Sequence, residues 1–338
     1  MTQSQKPTWL RFELPVEVVL ALAFLTVTLA VGLLSGLPFS LPNSERASFV
    51  GIHYLYPLIA IAIWGVTIMF SPERKVSSVF FTALPAYALV LVCHFNLKLW
   101  IPHLNGALWD DFFWRTDEAV RPVVDAAMAI RSALDSVIAL DGNFYMIGFI
   151  AMFYLVFIFV SFRRSEDFRE LMVAIICLQI LGSIGYLLTP ALGPFLYEVG
   201  VEPLSTDAQR GMLGSWEANV AGGAAWLADQ GGRQLTVGLA AMPSLHTGAS
   251  FLFLMFAAKR SPVLTGLLTP LFLFITIDAV ANRWHYVIDL PVGIGCALLA
   301  LYLARRFAGE EASASTSTLI EQNDVGQPAP VPENAGAA

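Results

Sequence analysis

Apolar residues in this chain form long continuous runs, separated by short polar or basic segments. A helix that crosses a membrane needs about 20 predominantly apolar residues. Eight stretches approach or meet that length, the sixth being short, at 15–37, 52–70, 77–100, 143–162, 170–189, 244–258, 263–281 and 285–304. Because the runs are continuous and do not alternate, a transmembrane β-barrel is excluded as the main interpretation. The pattern predicts an all-α, polytopic transmembrane bundle of about eight spans.

Two longer polar segments, 101–142 and 190–243, separate these runs on the side that we predict to be the outer one. The first carries apolar residues at helical spacing between residues 119 and 138, with charged residues among them. This pattern predicts an amphipathic helix that lies at the membrane surface. The second segment is rich in glycine and small residues, so we expect it to be irregular and mobile.

The predicted spans divide the chain into three parts. Residues 1–142 contain the first three spans and the outer amphipathic loop, and residues 143–308 form a helical core. Residues 309–338 are rich in Ala, Ser, Pro and Glu, a composition that predicts a disordered acidic tail on the cytoplasmic side.

The composition agrees with a membrane protein. Hydrophobic residues make up 57% of the chain and charged residues 13%, with a mean hydropathy of +0.66. Soluble domains carry about 25% charged residues, so a water-soluble enzyme, a disordered protein and a collagen-like fibre are excluded. The net charge is −7, and five of these negative charges lie in the tail beyond residue 308. No basic run suggests a nucleic-acid partner.

The positions of the cysteines and of the basic residues indicate where the protein resides and which way it is oriented in the membrane. Cys93, Cys177 and Cys296 all lie within apolar runs, a pattern that implies neither a disulfide framework nor a zinc site. With the N-terminus inside, lysine and arginine concentrate in the inner segments, which the positive-inside rule favours. The N-terminal apolar run is long enough to span and lacks the features of a cleaved signal peptide. We therefore predict an integral protein of the cell or inner membrane with both termini in the cytoplasm.

A first polar cluster, Met242–His246, opens the sixth predicted span. Pro243 suits a helix start, where its missing N–H costs nothing. The free backbone N–H groups near Ser244 and Leu245, together with the helix dipole, favour an anion such as phosphate. His246 in the same turn can give or take a proton near neutral pH. The alternative is an ordinary capped helix with an interfacial histidine.

A second polar cluster opens the last predicted span. His285 and Asp289 are four residues apart, which places them on one face of a helix. The carboxylate can then hold one imidazole nitrogen and leave the other as a nucleophile or base. Arg283, two residues earlier, is a candidate ligand for phosphate oxygens. The alternative is a polar cap with an intramembrane His–Asp hydrogen bond.

The topology predicts that both clusters lie at the same, outer membrane face. The charge rule used neither motif, so this agreement supports a common site. His94 and Lys98 are four residues apart near the predicted outer end of the third span. We interpret them as side chains whose polar ends extend to the membrane–water interface. An acidic group in the first outer loop is interpreted as a solvated face; its members are Asp110, Asp111, Asp117 and Glu118. No residues have zinc-ligand spacing.

At these residues the chain resembles the type 2 phosphatidic acid phosphatase superfamily, whose motifs are K-x-x-x-x-x-x-R-P, P-S-G-H and S-R-x-x-x-x-x-H-x-x-x-D. Pro243-Ser244-Leu245-His246 resembles the second motif, with leucine for glycine, and His285-x-x-x-Asp289 resembles the end of the third. The P-S-L-H and H-Y-x-x-D variants are similar to the branch of inositol phosphorylceramide synthases and their bacterial relatives. The resemblance covers about residues 143–304.

The resemblance also shows where the chain departs from the family. Ala279 stands where the third-motif arginine belongs, so Arg283 is the expected substitute. The segment 188–194, where the first motif is expected, contains neither lysine nor arginine. Arg233 or Arg210 in the following loop would then supply charge. The predicted phosphate-binding residues are thus Ser244, Leu245, Arg283 and Arg233.

The resemblance implies a two-step phosphoryl transfer on a lipid phosphate, and the charge rule predicts that the site faces the extracytoplasmic side. His285 attacks phosphorus and becomes phosphohistidine, Asp289 orients it, and His246 protonates the leaving oxygen and then activates the acceptor. Neither a metal nor a cofactor is required. Water as acceptor makes a phosphatase, which we favour, and an alcohol makes a lipid head-group phosphotransferase.

Two other classes stay open at this point. A transporter would place polar residues in mid-membrane and show internal pseudo-symmetry, and a non-catalytic scaffold would need neither histidine. The sequence leaves the oligomeric state undetermined.

Overall fold

The computed structural model describes residues 14–43, 63, 65–67, 70, 74–138, 140, 143–161, 165–237 and 239–324. Within these ranges the chain forms ten α-helices and no strand, which confirms the predicted all-α fold class. The helices are α1 (Val16–Ser35), α2 (Arg74–Leu104), α3 (Asp110–Ala119), α4 (Arg121–Ile138), α5 (Asn143–Ser161), α6 (Ser165–Leu188), α7 (Pro203–Gln230), α8 (Leu245–Ala258), α9 (Pro262–Ala281) and α10 (Asp289–Asp324).

Six of the described helices are long and apolar enough to cross a membrane, so the protein is an integral membrane protein. The six spans lie in α1, α2, α5, α6, α9 and the first part of α10. The seventh apolar helix, α8, is shorter, as its sequence predicts. Most of the predicted span 52–70 lies outside the described residues.

Helices α1 and α2 run in the same direction. Thr82 near the start of α2 donates a hydrogen bond to Glu17 near the start of α1. At the other end, Gly32 of α1 lies against the ring of Trp100. The two helices therefore begin at one end of the bundle and finish at the other.

Helix α6 lies at the centre of the bundle and contacts α1, α2, α5, α8 and α10. Residues 171–178 are all buried, because this helix is apolar around its whole circumference. This central position lets α6 support the two segments that carry the predicted motifs.

The first outer segment forms α3 and α4, so the predicted amphipathic helix is present as α4. Val124 and Ala127 on its apolar face are buried against the end of α9. Arg131 reaches inward, where its Nε lies 2.6 Å from Asp278 Oδ1 of α9. The helix therefore docks on the bundle instead of only lying at a membrane surface.

Two expectations based on composition differ from the structure. The second outer segment is not irregular, because it contains the 28-residue helix α7, with non-helical dihedral angles at Gly223. Helix α10 continues to Asp324, into the segment for which we predicted disorder. Residues 325–338 of that tail lie outside the described residues.

Candidate active site

His246 and His285 line one cavity of about 470 Å³. Its wall is formed by α2, α5, α6, the N-terminal half of α7, the first turn of α8 and the segment before α10. Most of the lining side chains are apolar or aromatic, among them Leu91, Phe95, Met146, Phe149 and Met212. The two histidines that the sequence predicted to meet are therefore brought together at one end of the bundle.

The two motif segments bind each other directly through their backbones and side chains. The Ser244 N–H donates to the Asp289 carbonyl oxygen at 3.1 Å. His285 Nδ1 lies 2.7 Å from the Ala241 carbonyl oxygen. Residues 44 and 45 positions apart in sequence thus form one hydrogen-bonded unit, which positions both histidines against the cavity.

The surroundings of His285 determine its tautomer. Besides the Ala241 carbonyl, Nδ1 has the Asp289 carboxylate as a neighbour, with Oδ2 at 3.2 Å. Both neighbours accept hydrogen bonds, so in the neutral ring the proton must sit on Nδ1. The Nε2 atom then carries the lone pair and is available as a nucleophile.

Asp289 is held in place from the segment that precedes its helix. His285 and Asp289 do not share a helix face, because α10 begins only at Asp289. Instead the chain turns, and the same Asp289 Oδ2 accepts the Tyr286 N–H at 2.9 Å. This carboxylate is completely buried, so the surrounding residues fix its position relative to His285.

His246 lies in the first turn of α8, where it is surrounded by aromatic rings. Its ring centroid is 4.6 Å from that of Phe149 and 5.3 Å from that of Tyr145, in edge-to-face arrangements. Leu245 beside it replaces the glycine of the family motif, and its side chain fits against Gly182 of α6, where a Cβ atom would lie 2.5 Å from Leu245 Cδ2. Both Leu245 and His246 line the cavity.

Ser244 does not take the position that we predicted for it. Its side chain is completely buried, and its hydroxyl donates to Thr247 Oγ1 at 3.0 Å. It is the residue before the helix and does not line the cavity. Its side chain makes no capping hydrogen bond to the backbone of α8, and its N–H binds the Asp289 carbonyl oxygen, so its contacts are structural.

Arg283 also differs from its predicted role as a phosphate ligand. The side chain is completely buried and does not line the cavity. Its Nη2 lies 3.0 Å from Asp117 Oδ2, its Nε lies 3.4 Å from Glu198 Oε2, and the guanidinium stands over the Trp114 ring at 5.5 Å. These carboxylates already compensate its charge. Arg233 is exposed at the end of α7 and does not line the cavity either.

The outer acidic group is a structural part of the site and not a solvated face. Asp117 is buried and accepts the Val287 N–H at 2.8 Å. Asp110 accepts the backbone N–H groups of Leu192 and Gly193, and the Tyr286 hydroxyl at 2.8 Å. Burial raises the pKa of both carboxyls, while these hydrogen bonds act in the opposite direction. The interpretation was correct only for the exposed Asp111 and Glu118.

Sequence reasoning missed two residues of the cavity wall. His94 and Lys98 of α2 do not reach out to the interface, but line the same cavity as the two catalytic candidates. His94 Nδ1 lies 2.8 Å from Ser183 Oγ of α6. The available signal was the spacing of Tyr87, His94 and Lys98, which puts three polar side chains on one face of an otherwise apolar helix.

No cluster of three or more metal-ligating side chains occurs in the part of the chain that the structure describes. The polar groups of the cavity are imidazoles, hydroxyls, amides and one ammonium group, with no carboxylate among its lining residues. The arrangement is suited to binding an anion beside a nucleophilic nitrogen.

The model of the PAP2 superfamily matches residues 112–303. The match begins within α3, so it includes Asp117 and α4, which the sequence prediction had placed outside the core. No curated protein and no solved structure matches the chain significantly. Because the match covers more than half of the chain and both histidine motifs, the chain belongs to the PAP2 superfamily, whose members are phosphatases or phosphotransferases.

Proposed function

We propose that the protein is a membrane phosphatase that hydrolyses lipid phosphates through a phosphohistidine intermediate at His285. The observation that carries the proposal is the shared cavity of His246 and His285, with Nδ1 of His285 held by Ala241 and Asp289. The apolar walls of the cavity and its place within a bundle of membrane-spanning helices support a lipid substrate.

In the first step, His285 Nε2 attacks phosphorus, and the bond from phosphorus to the lipid oxygen breaks. The leaving oxygen takes a proton from His246, and the Asp289 carboxylate stabilises the positive charge that His285 acquires. In the second step, His246 removes a proton from water, whose oxygen attacks phosphorus. The P–N bond breaks, and phosphate leaves with both histidines restored.

The start of α8 supplies further stabilisation of the phosphoryl group. Leu245 and His246 line the cavity from the first turn of this helix, where backbone N–H groups and the helix dipole favour an anion. This part of the predicted phosphate site is supported, although neither the Ser244 hydroxyl nor Arg283 points to it.

We further propose that the cavity opens on the extracytoplasmic side. The basic residues Arg169, Arg260 and Arg305 pair with carboxylates at the opposite end of the bundle. The positive-inside rule assigns that end to the cytoplasm. The termini would then both be cytoplasmic.

The test uses purified protein in detergent, with a chelator present and phosphatidic acid as substrate. The wild type should release phosphate, and base-quenched samples should contain a phosphoryl–protein adduct that acid treatment removes, as expected for phosphohistidine. His285→Ala should lose both signals, and Asp289→Asn should keep the fold with much lower kcat. His103→Ala is the matched control, because His103 binds Asn219 away from the cavity. Full activity in folded His285→Ala would refute the proposal.

One observation favours a phosphotransferase as the second candidate. The cavity extends between α2 and α6, where Tyr87, His94 and Gln179 add hydrogen-bonding groups to its wall. Such a wall can bind the hydroxyl groups of an alcohol acceptor as well as water. The same assay distinguishes the candidates when alcohols are added, because a transferase yields the new phosphodiester or phosphomonoester by mass at the expense of free phosphate.

A further inference from the structure

Lys98 contributes a positive charge to the wall of the cavity. It lies on α2, and its ammonium stands 5.3 Å from the centroid of the Tyr186 ring. Among the described residues that line the cavity, it is the one lysine or arginine. It lies before residue 112, so the family match does not include it.

The other inward-facing cations of the described chain have carboxylate partners. Arg131 pairs with Asp278, Arg283 pairs with Asp117, and Arg260 pairs with Asp167. For Lys98, the described residues supply no carboxylate within ion-pair distance. A cation inside a membrane protein is costly without a partner, so an unpaired one facing a cavity indicates an anionic ligand.

The charge shares a cavity with the reacting groups. Lys98, His246 and His285 all line this cavity of about 470 Å³. A phosphoryl group placed against His285 Nε2 would therefore have the Lys98 ammonium as a nearby countercharge.

The hydrogen bonds of the neighbouring His94 define which nitrogen of its neutral ring carries the proton, and that neutral ring supplies no positive charge. The Ser183 hydroxyl donates its proton to the Gln179 carbonyl oxygen at 2.8 Å, so its oxygen accepts from His94 Nδ1. The proton of the neutral ring is therefore on Nδ1, and Nε2 is an acceptor. Lys98 thus remains the source of positive charge on this wall.

We infer that Lys98 binds the phosphoryl group of the substrate and takes the role that we first expected for Arg283 and Arg233. The inference deepens the proposed function and rests on it for the identity of the substrate. It makes the N-terminal helix α2 part of the active site.

The experiment compares Lys98→Met, Lys98→Arg and the control Lys259→Met, which removes an exposed lysine at the other end of α8. Orthovanadate serves as the phosphate analogue. Its binding is measured by the rise in melting temperature of the detergent-solubilised protein, and its inhibition constant by phosphate release. Lys98→Met should weaken vanadate binding about 100-fold, the scale for loss of a buried charge partner. Lys98→Arg should retain part of the binding, and Lys259→Met should behave as the wild type.

The thermal readout separates failure of this inference from failure of the proposed function. If vanadate stabilises the wild type but not Lys98→Met, the inference holds even when the protein hydrolyses no lipid phosphate. If vanadate stabilises Lys98→Met as strongly as the wild type, or stabilises neither, the inference is wrong. The melting temperatures without vanadate show whether each variant is folded.

Discussion

Among single residues, the surroundings of each charge decide its function. Arg283 and Lys98 are both basic residues near the histidines, yet one is enclosed by carboxylates and the other faces the cavity. Arg283 also has a positive φ of 57°, which is unusual for a residue with a side chain. Its carbonyl accepts the Phe195 N–H, so the turn before His285 is held from outside. Arg283 therefore supports the site from behind.

Replacing Arg283 by methionine should destabilise the protein more than it changes phosphate binding. Arg283→Met leaves Asp117 buried without its countercharge, which costs about 3 kcal/mol. The control is Arg121→Met, since Arg121 also pairs with Glu198 but is partly exposed, where such pairs contribute about 1 kcal/mol or less. Melting temperatures in detergent measure both effects. Equal melting of the two variants would contradict the buried role of Arg283.

The same variant should show a characteristic pH dependence. Burial already raises the pKa of Asp117, and Arg283 counteracts that rise. Without Arg283, the pKa of Asp117 in the folded protein rises further above its value in the unfolded chain. The stability of the variant therefore falls as the pH rises from the unfolded-state pKa to the folded-state pKa of Asp117. The difference in melting temperature between wild type and Arg283→Met should thus be smallest in acid and grow toward neutral pH. A difference that grows toward acid would contradict this assignment.

Among the helices, the close contact of α8 and α10 positions the site. Gly293 of α10 faces the backbone of Ser244, where an added Cβ would lie 2.2 Å from the carbonyl oxygen. Ser244 and Asp289 are also joined by a backbone hydrogen bond. The first turn of α8, which carries His246, and the start of α10, which follows His285, are thus separated by a fixed and short distance.

A methyl group at Gly293 should therefore disturb the active site. Gly293→Ala must push the start of α8 away, at a cost of about 1–3 kcal/mol, and should lower kcat because His246 moves relative to His285. Gly295→Ala on the same helix is the control, because its added Cβ would meet nothing within 4 Å. Phosphate release and melting temperature should be near the wild-type values in that control. Normal activity in Gly293→Ala would show that the helix spacing is not critical.

In the whole molecule, helices α3 and α7, which lie outside the six spans, are part of the functional unit. Asp110 and Asp117 of α3 bind the segment around His285, and Leu204, Ala208 and Met212 of α7 line the cavity. Arg169, Arg260 and Arg305 lie at the other end of the bundle. This asymmetry is the basis of the proposed orientation.

Labelling of single cysteines tests that orientation. Val199→Cys places an exposed thiol beside α7, and Lys259→Cys places one at the opposite end. A membrane-impermeant maleimide should label the first in intact cells and the second only after permeabilisation. The parent protein provides the background, because Cys93 and Cys177 are buried and Cys296 is partly buried. The reverse pattern would place the cavity on the cytoplasmic side.

The spans and the two histidine motifs followed from the sequence alone. The thickness of the bilayer sets the length of an apolar run, so α1, α2, α5, α6, α9 and α10 could be recognised locally. Two predicted spans separate His246 from His285, and two crossings return the chain to the side from which it started. The sequence therefore predicted that both histidines lie at one end of the bundle. These are properties of short segments and of their order.

The countercharges and the cavity wall were decided by the tertiary structure. Asp117 reaches a backbone N–H 170 positions away, and no local pattern distinguishes that carboxyl from a solvated one. The pairing of Arg283 and the inward position of Lys98 likewise depend on how distant helices pack. A charge acquires its role from the groups within a few ångströms, and only the folded chain brings those groups together.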